Sequence, residues 1–385
     1  LAQQNIHSLY PALALICVGA ALFKSNPGVL LAQCYQKNSQ ELHGAFTLYY
    51  MAVNIGAIGA LLVGPYVSHH FGYGYAYLIA ALGILLGLLN YSIQYPVIAH
   101  IKTPADQKRI SFKKGCGLAV GILLFIGLST YLLSHTFMAR QIILMVTAIF
   151  VLFYFGCVFK AKKQERRRLI VAFILMIEAV VFFTLYQQMP TSINVFAVNH
   201  IYPELFGIHL DPQSFQVLNP LWIIILSPVI AWVYEELNRR KLFFAIPYKF
   251  AVGMIFCSIA FFILYLTRYL ANDQGVVSSW WLVMSYFFQA MGELLVSALG
   301  IAMVAELVPP KIMGFVIGVW FLTSSVAGFT GAAVASLTAL PKGMAPGLDS
   351  LGIYTHVFLE IGIATFIAGC MMGLLAPYLT RLMKA

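Results

Sequence analysis

Apolar segments of membrane-spanning length follow one another along the whole chain, separated by short polar segments. A transmembrane α-helix needs about 20 residues to cross the ~30 Å hydrocarbon layer of a bilayer. Eleven segments have about that length or more: residues 9–34, 45–68, 74–96, 116–134, 139–159, 168–199, 219–235, 249–268, 279–307, 312–339 and 352–380. The pattern therefore predicts an all-α integral membrane protein with eleven crossings.

The composition agrees with a membrane protein. Of the 385 residues, 61% are hydrophobic and only 9% are charged, so a soluble fold of this size could not keep its surface hydrated. The net charge is +10, but the basic residues form short clusters between apolar segments, as cytoplasmic membrane loops do. We therefore expect the lipid bilayer, and no nucleic acid, as a partner.

The distribution of Lys and Arg orients the chain. If the chain starts outside and alternates, one side of the membrane holds 19 of the 23 basic residues. Because basic loops stay in the cytoplasm, the C-terminus is predicted to be cytoplasmic. Eleven crossings then leave the N-terminus outside, whereas transporters built from two six-helix bundles have an even number and start inside. We expect an odd number of helices to precede Leu1.

Two basic loops, at 99–114 and 160–168, bracket a hairpin of two helices that has few polar residues inside its spans. We interpret the hairpin as a structural, lipid-facing linker. Three predicted helices precede it and six follow it. The predicted domains are residues 1–96, the remainder of an N-terminal bundle; 97–167, the linker with its hairpin; and 168–385, a C-terminal six-helix bundle.

Three charged side chains, Lys24, Glu178 and Glu293, lie inside apolar spans. Each costs ~2.5–3.5 kcal/mol on insertion scales, so such residues usually face a cavity and indicate a transport pathway. Lys24 precedes Pro27, which would kink the helix, although this Lys could also snorkel or pair structurally. Glu178 either couples to protons or balances a basic residue at the cytoplasmic edge. Both interpretations stay open.

Polar residues recur at every fourth position on several predicted helices, which places them on one face of each helix. These sets are Gln289, Glu293 and Ser297; Trp320 and Ser324; and Tyr50 and Asn54. A polar stripe on an apolar helix is typical of the wall of an aqueous cavity. A zwitterion with separated termini would satisfy Lys24 and Glu293 at once, and a carboxylate there could take up a proton as its exposure changes.

Signatures of metal binding or catalysis are weak. The six Cys residues form no CxxC motif, and we interpret them as small core residues. An external loop is predicted at 201–218; His200 lies directly before it and His209 within it, and both are predicted to be solvated loop residues rather than metal ligands. No nucleophile–base pair or phosphate loop occurs. We therefore predict that the chain is not an enzyme and needs no metal or cofactor, with protons as the coupling ion.

Several segments resemble the proton-coupled oligopeptide transporter (POT/PTR) family of the major facilitator superfamily. The similar segments are "GAALFKSNPGVLLAQCY" (19–35), "FTLYYMAVNIGA" (46–57), "MIEAVVFFTLYQQMPTSINVFA" (176–197), "LNPLWIIILSPVIAWVY" (218–234), "FQAMGELLVSALGIAMVAELVP" (288–309) and "MGFVIGVWFLTSS" (313–325). The FT-x-YY-x-x-N-x-G and GELL-x-S patterns carry most of the resemblance. It implies 14 helices, two six-helix bundles plus the linker hairpin, of which this chain has 11 and lacks the first three.

The resemblance also implies a function: symport of dipeptides and tripeptides with protons by alternating access. It further implies that Lys24 helps to hold the peptide carboxylate, and that Glu293 meets the peptide amino terminus with help from Asn54 and Asn219. The candidate substrate-binding residues are Lys24, Tyr50, Asn54, Gln187, Asn219, Glu293, Ser297, Trp320 and Ser324, and the proton-coupling candidates are Glu178 and Glu293. We expect a monomer in the bacterial cytoplasmic membrane.

Two departures from the family pattern are visible. The E-x-x-E-R-F-x-Y-Y motif of the family's first helix does not occur in this chain, and Gln187 stands where many members have an acidic residue. How proton coupling is divided between the bundles therefore stays open. The alternatives are another major facilitator transporter, for anions or drug-like solutes, or a truncated membrane protein that transports nothing.

Overall fold

The structure is a computed structural model that describes residues 6–24, 26–34, 39–99, 111–240, 245–296 and 300–384. It forms two compact units, Leu1–Gln141 and Ile142–Ala385. The division falls inside the second helix of the predicted linker hairpin. The predicted domain boundaries, 1–96, 97–167 and 168–385, stay predictions.

The first unit is helical. Its helices are α1 (Ile6–Lys24), α2 (Asn26–Cys34), α3 (Ser39–Phe71), α4 (Tyr73–Ile98), α5 (Phe112–Ser134) and the beginning of α6 (Thr136–Lys160), which continues into the second unit. Within the unit, α1 packs against α5 and α3 packs against α4. The turn between α3 and α4 is made at Gly72, whose φ of 94° lies in the left-handed region that favours glycine.

The second unit is also helical, apart from a small hairpin of two short strands. Its elements after α6 are α7 (Lys163–Tyr186), a π-helical turn (Met189–Ile193), α8 (Asn194–His200), β1 (Glu204–Leu205), β2 (Ile208–His209), a 3-10 helix (Pro212–Val217), α9 (Leu218–Arg239), α10 (Ile246–Leu266), a 3-10 helix (Thr267–Tyr269), α11 (Trp280–Val296), α12 (Gly300–Leu307), a 3-10 helix (Pro310–Ile312), α13 (Met313–Ser336) and α14 (Leu348–Lys384). The two strands pair antiparallel, with Glu204 opposite His209.

The eleven predicted crossings are confirmed as helical: most are one helix, the first and the ninth are two, and the sixth consists of α7, the π-helical turn and α8. Among the described residues, nine helical segments are long and apolar enough to cross a membrane. The two other predicted crossings, the first and the ninth, contain residue 25 and residues 297–299 respectively, which lie outside the described residues. The loop predicted at 201–218 contains the short hairpin and a 3-10 helix as well.

The core of the second unit is built around α10, which packs against α11 and α14, while α7 packs mainly against α13. Two glycines allow α10 and α11 to approach closely. A Cβ atom on Gly292 would collide with Cys257 Sγ and would lie 2.8 Å from the carbonyl oxygen of Gly253. A Cβ atom on Gly253 would lie 2.7 Å from Val296 Cγ2. The backbone next to Glu293 can therefore lie close to α10 because Gly253 and Gly292 have no side chains.

Candidate functional site

Glu293 and Asn219 form the centre of the candidate site. The Asn219 side-chain amide, in the first turn of α9, donates a hydrogen bond of 2.9 Å to Glu293 Oε2 on α11. Both residues are half-buried. The family resemblance implies that the two residues act together, and the packing of α9 against α11 places them in contact although they lie 74 positions apart.

A small apolar cluster aligns α9 with α11. It consists of Ile223 and Leu226 on α9 with Ala290 and Leu294 on α11, all of them buried. The Trp222 indole also donates a hydrogen bond of 3.1 Å to the Val283 carbonyl oxygen. This packing fixes the register in which Asn219 reaches Glu293.

The polar stripe on α11 extends away from Glu293. Gln289, one turn earlier, is buried and donates a hydrogen bond of 3.1 Å to Ser285 Oγ. Gln289 also lines a small cavity together with Phe182, Tyr186 and other residues of α7 and α10. Ser297, the third member of the predicted stripe, lies outside the described residues.

The helices α7 and α13 carry the next set of predicted residues. Trp320 is buried, and its ring lies edge-to-face with Phe183 at 5.9 Å between centroids. Ser324 follows one turn later and is half-buried. Gln187 is half-buried and packs against Gly331, where an added Cβ would lie 2.6 Å from Gln187 Cβ.

Gln188, which is not among the predicted site residues, makes a polar link from the end of α7 to α13. It is completely buried, and its amide donates hydrogen bonds to the carbonyl oxygens of Thr184, at 3.0 Å, and Gly331, at 3.1 Å. Its own Oε1 accepts a hydrogen bond from Ser192 at 2.8 Å. A run of two glutamines gives no local signal for which one faces the bundle, so only the packing distinguishes them.

Glu178 is buried on α7, with 6% of its surface exposed. Neither carboxylate oxygen has a hydrogen-bond partner among the described residues. The interpretation that Glu178 balances a basic residue at the cytoplasmic edge finds no support in these contacts. Arg168, ten positions earlier, instead donates a hydrogen bond of 3.2 Å from Nε to the Met383 carbonyl oxygen.

The predicted residues of the first unit are Lys24, Tyr50 and Asn54. Lys24 is the last residue of α1, and its side chain lies outside the description. Tyr50 and Asn54 lie one turn apart on α3, where the buried Asn54 amide donates a hydrogen bond of 2.8 Å to the Tyr50 carbonyl oxygen. Lys24 and Glu293 belong to different units, so their predicted joint role stays a prediction.

The prediction that His200 is a solvated loop residue is wrong. His200 is fully buried, with Nδ1 2.9 Å from the Gly275 carbonyl oxygen and Nε2 3.3 Å from Ser350 Oγ. Gly275 adopts a φ of 74°, and a Cβ there would lie 2.6 Å from the Gly347 carbonyl carbon. The approach of these distant segments encloses His200, whereas His209 on β2 is exposed as predicted.

A family model described as PTR2, the POT family, matches residues 2–349. Dipeptide and tripeptide permease B of Aeromonas hydrophila subsp. hydrophila is 40% identical over 382 residues, which are 99% of this chain and 76% of the relative. Dipeptide and tripeptide permease A of Edwardsiella piscicida is 42% identical over 379 residues, which are 98% of this chain and 77% of the relative. The similarity thus extends over nearly the whole chain.

Solved structures are similar over the same extent. The crystal structure of tetrameric PepTSo2 matches with a TM-score of 0.86 and 31% identity, covering 99% of this chain and 80% of that one. The structure of a bacterial homologue of the human drug peptide transporters PepT1 and PepT2 matches with a TM-score of 0.84 and 31% identity, covering 98% of this chain and 80% of that one.

Proposed function

The chain belongs to the POT family of the major facilitator superfamily, and from this premise we propose that it carries dipeptides and tripeptides by proton-coupled symport. The observation that supports the substrate class most directly is the 40–42% identity to dipeptide and tripeptide permeases over nearly the whole chain. An apolar chain with nine described helices of spanning length also requires a multi-pass membrane location.

Glu293 is proposed to receive the ammonium group of the peptide. The Asn219 amide donates a hydrogen bond to Oε2 of the carboxylate, and no described residue donates a hydrogen bond to Oε1. That oxygen is therefore suited to a charge-assisted hydrogen bond from an N–H group of the substrate. Protonation of Glu293 would remove the negative charge and weaken this contact, which provides a physical route to coupled release.

The rest of the substrate contacts follow from the family resemblance. Lys24 is proposed to help hold the peptide carboxylate, and Asn54 is proposed to help bind the peptide amino terminus. Tyr50 is proposed as a further substrate contact. Ser297, Trp320 and Ser324 are proposed to shape the space for peptide side chains, with Trp320 supplying a buried aromatic surface. Gln187 is proposed as a further substrate contact. Protons are proposed to be the coupling ion, with no other cofactor and no enzymatic activity.

The membrane is proposed to be the bacterial inner membrane, with a cytoplasmic C-terminus. This orientation is supported by the placement of 19 of the 23 Lys and Arg residues on one side. A monomer is proposed as the transporting form, although one similar protein of known structure, PepTSo2, is a tetramer.

The function is tested by uptake of a labelled dipeptide into proteoliposomes with an inward proton gradient. We expect gradient-dependent uptake that excess unlabelled dipeptide inhibits and that single amino acids do not. Glu293→Gln should reduce uptake about 10- to 100-fold, because an interaction with a charged group worth about 1.5–3 kcal/mol is lost. Glu306→Gln is the control, because Glu306 is exposed on α12. Uptake unchanged by Glu293→Gln would assign Glu293 a structural role.

A further inference from the structure

A second carboxylate, Glu178, is buried in the second unit without any compensating contact. Only 6% of its surface is exposed, and both carboxylate oxygens lack a hydrogen-bond partner among the described residues. Buried carboxylates are normally paired or hydrogen-bonded, because burying an isolated charge is very costly. In these surroundings, Glu178 is therefore stable as the neutral carboxylic acid.

Among the described residues, no ion pair brings a cation to Glu178. The helix α7 packs against α10, α11, α12, α13 and α14, and it also contacts α6, whose Tyr154 hydroxyl donates a hydrogen bond to the Leu169 carbonyl oxygen. The helix α13 has no ionisable side chain, and the ionisable residues of the other five are Arg140, Tyr154, Cys157, Lys160, Tyr248, Lys249, Cys257, Tyr265, Tyr286, Glu293, Glu306, Asp349, Tyr354, His356, Glu360, Cys370, Tyr378, Arg381 and Lys384. The ion pairs among the described residues join Glu236 to Arg239 and Arg240, and His356 to Glu360, so none includes Glu178.

The position of Glu178 connects it to the candidate site. Phe182 and Tyr186 follow Glu178 at one and two helical turns along α7, and both line the small cavity that Gln289 also lines. Gln289 in turn precedes Glu293 by one turn on α11. Each carboxylate therefore lies one helical turn from a residue that lines the same cavity: Glu178 from Phe182 on α7, and Glu293 from Gln289 on α11.

We propose that Glu178 is a proton-binding site of the transport cycle, separate from Glu293. It holds its proton while it is buried and releases the proton when the helices around it rearrange and water reaches the carboxyl group. No covalent step is involved: the O–H bond of the carboxylic acid is exchanged for a proton delivered to water. This inference rests on the proposed function, and it assigns part of the coupling to α7 even though Gln187 cannot titrate.

The proposal predicts a change in stoichiometry rather than a simple loss of activity. The full chain is reconstituted, and the proton-to-peptide ratio is measured from the pH gradient at which net flux of labelled dialanine is zero. One coupled proton supports about tenfold accumulation per pH unit, since 1.4 kcal/mol corresponds to a factor of ten. Glu178→Gln, which mimics the protonated form, should lower the ratio by one. Accumulation at a gradient of one pH unit should therefore fall about tenfold.

Matched variants separate this role from a structural one. Glu165→Gln removes an exposed carboxylate from the first turn of the same helix and should keep the wild-type ratio. Exchange of labelled for unlabelled dialanine without a pH gradient should persist in Glu178→Gln, because neutral Glu178 is competent for binding. If Glu178→Gln fails to fold, Glu178→Met replaces it, because Met has a similar length and no polar atom to bury.

Three outcomes of these experiments would overturn either the proposal for Glu178 or the proposed function. A wild-type ratio in a folded Glu178→Gln or Glu178→Met protein would show that the buried carboxyl group is only structural and would overturn the proposal. Loss of both exchange and gradient-driven uptake in a correctly inserted variant would also overturn it, because Glu178 would then be needed for conformational cycling itself. Absence of gradient-driven uptake by the wild-type protein would instead overturn the proposed function.

Discussion

The hydrogen bond from Asn219 to Glu293 allows the sharpest test of the candidate site. At 2.9 Å it joins a neutral amide to a carboxylate, and such bonds contribute about 1.5–3 kcal/mol. Both residues are half-buried, so we take the lower end of this range, about 1.5 kcal/mol. Asn219→Ala should therefore raise the KM for a dipeptide about tenfold.

The assay is a double-mutant cycle measured by initial rates of dipeptide uptake. If Asn219 acts by orienting and stabilising the Glu293 carboxylate, Asn219→Ala should add little to the effect of Glu293→Gln. Asn199→Ala is the matched control, since the Asn199 amide donates a hydrogen bond of 3.0 Å to the Tyr354 hydroxyl, away from Glu293. If Asn219→Ala raised the KM tenfold both in the otherwise unchanged protein and in the Glu293→Gln variant, the reasoning would be refuted.

Two further predictions concern the frame that holds the site. Gly292→Ala should lower the unfolding temperature in detergent and reduce uptake, because the added Cβ collides with Cys257 Sγ and overpacking costs about 1–3 kcal/mol. Gly314→Ala is the control, because a Cβ there meets no atom within 4 Å. Equal unfolding temperatures of the two variants would contradict the close approach of α10 and α11. His200→Ala should lower the unfolding temperature more than His209→Ala, because only His200 is buried with both ring nitrogens near polar partners, and equal effects would count against that burial.

The helices and the polar positions inside them could be predicted from the sequence because both depend on local chemistry. A segment of about 20 apolar residues in lipid must satisfy its backbone hydrogen bonds internally, and an α-helix does so whatever its neighbours are. The cost of a charge in such a segment is likewise local, so Lys24, Glu178 and Glu293 are identifiable without a structure. The helical spacing of Gln289 and Glu293 follows from the same geometry.

The spacing of residues along the chain could not predict the partners of these residues, because the partners depend on which helices cross and at what register. Only the family resemblance linked Asn219 to Glu293. Asn219 reaches Glu293 across 74 residues of sequence, and Gln188 reaches Gly331 across 143. Of the two adjacent glutamines, the sequence analysis predicts Gln187 as a substrate-binding residue, whereas the packing of α7 on α13 buries Gln188. Close approaches at glycines such as Gly292 help to set the register between two packed helices. The sequence around a glycine in an apolar segment does not show which helix packs against it.

By itself, the sequence therefore determined the membrane class, the helical content and the candidate charged residues of this protein. The tertiary structure decided that Glu293 has a hydrogen-bond donor, that Glu178 has none among the described residues, and that His200 is enclosed rather than solvated. The physical reason is the same in each case. Whether a polar group is paired, isolated or exposed depends on atoms supplied by distant segments, and only the packed helices bring those atoms within reach.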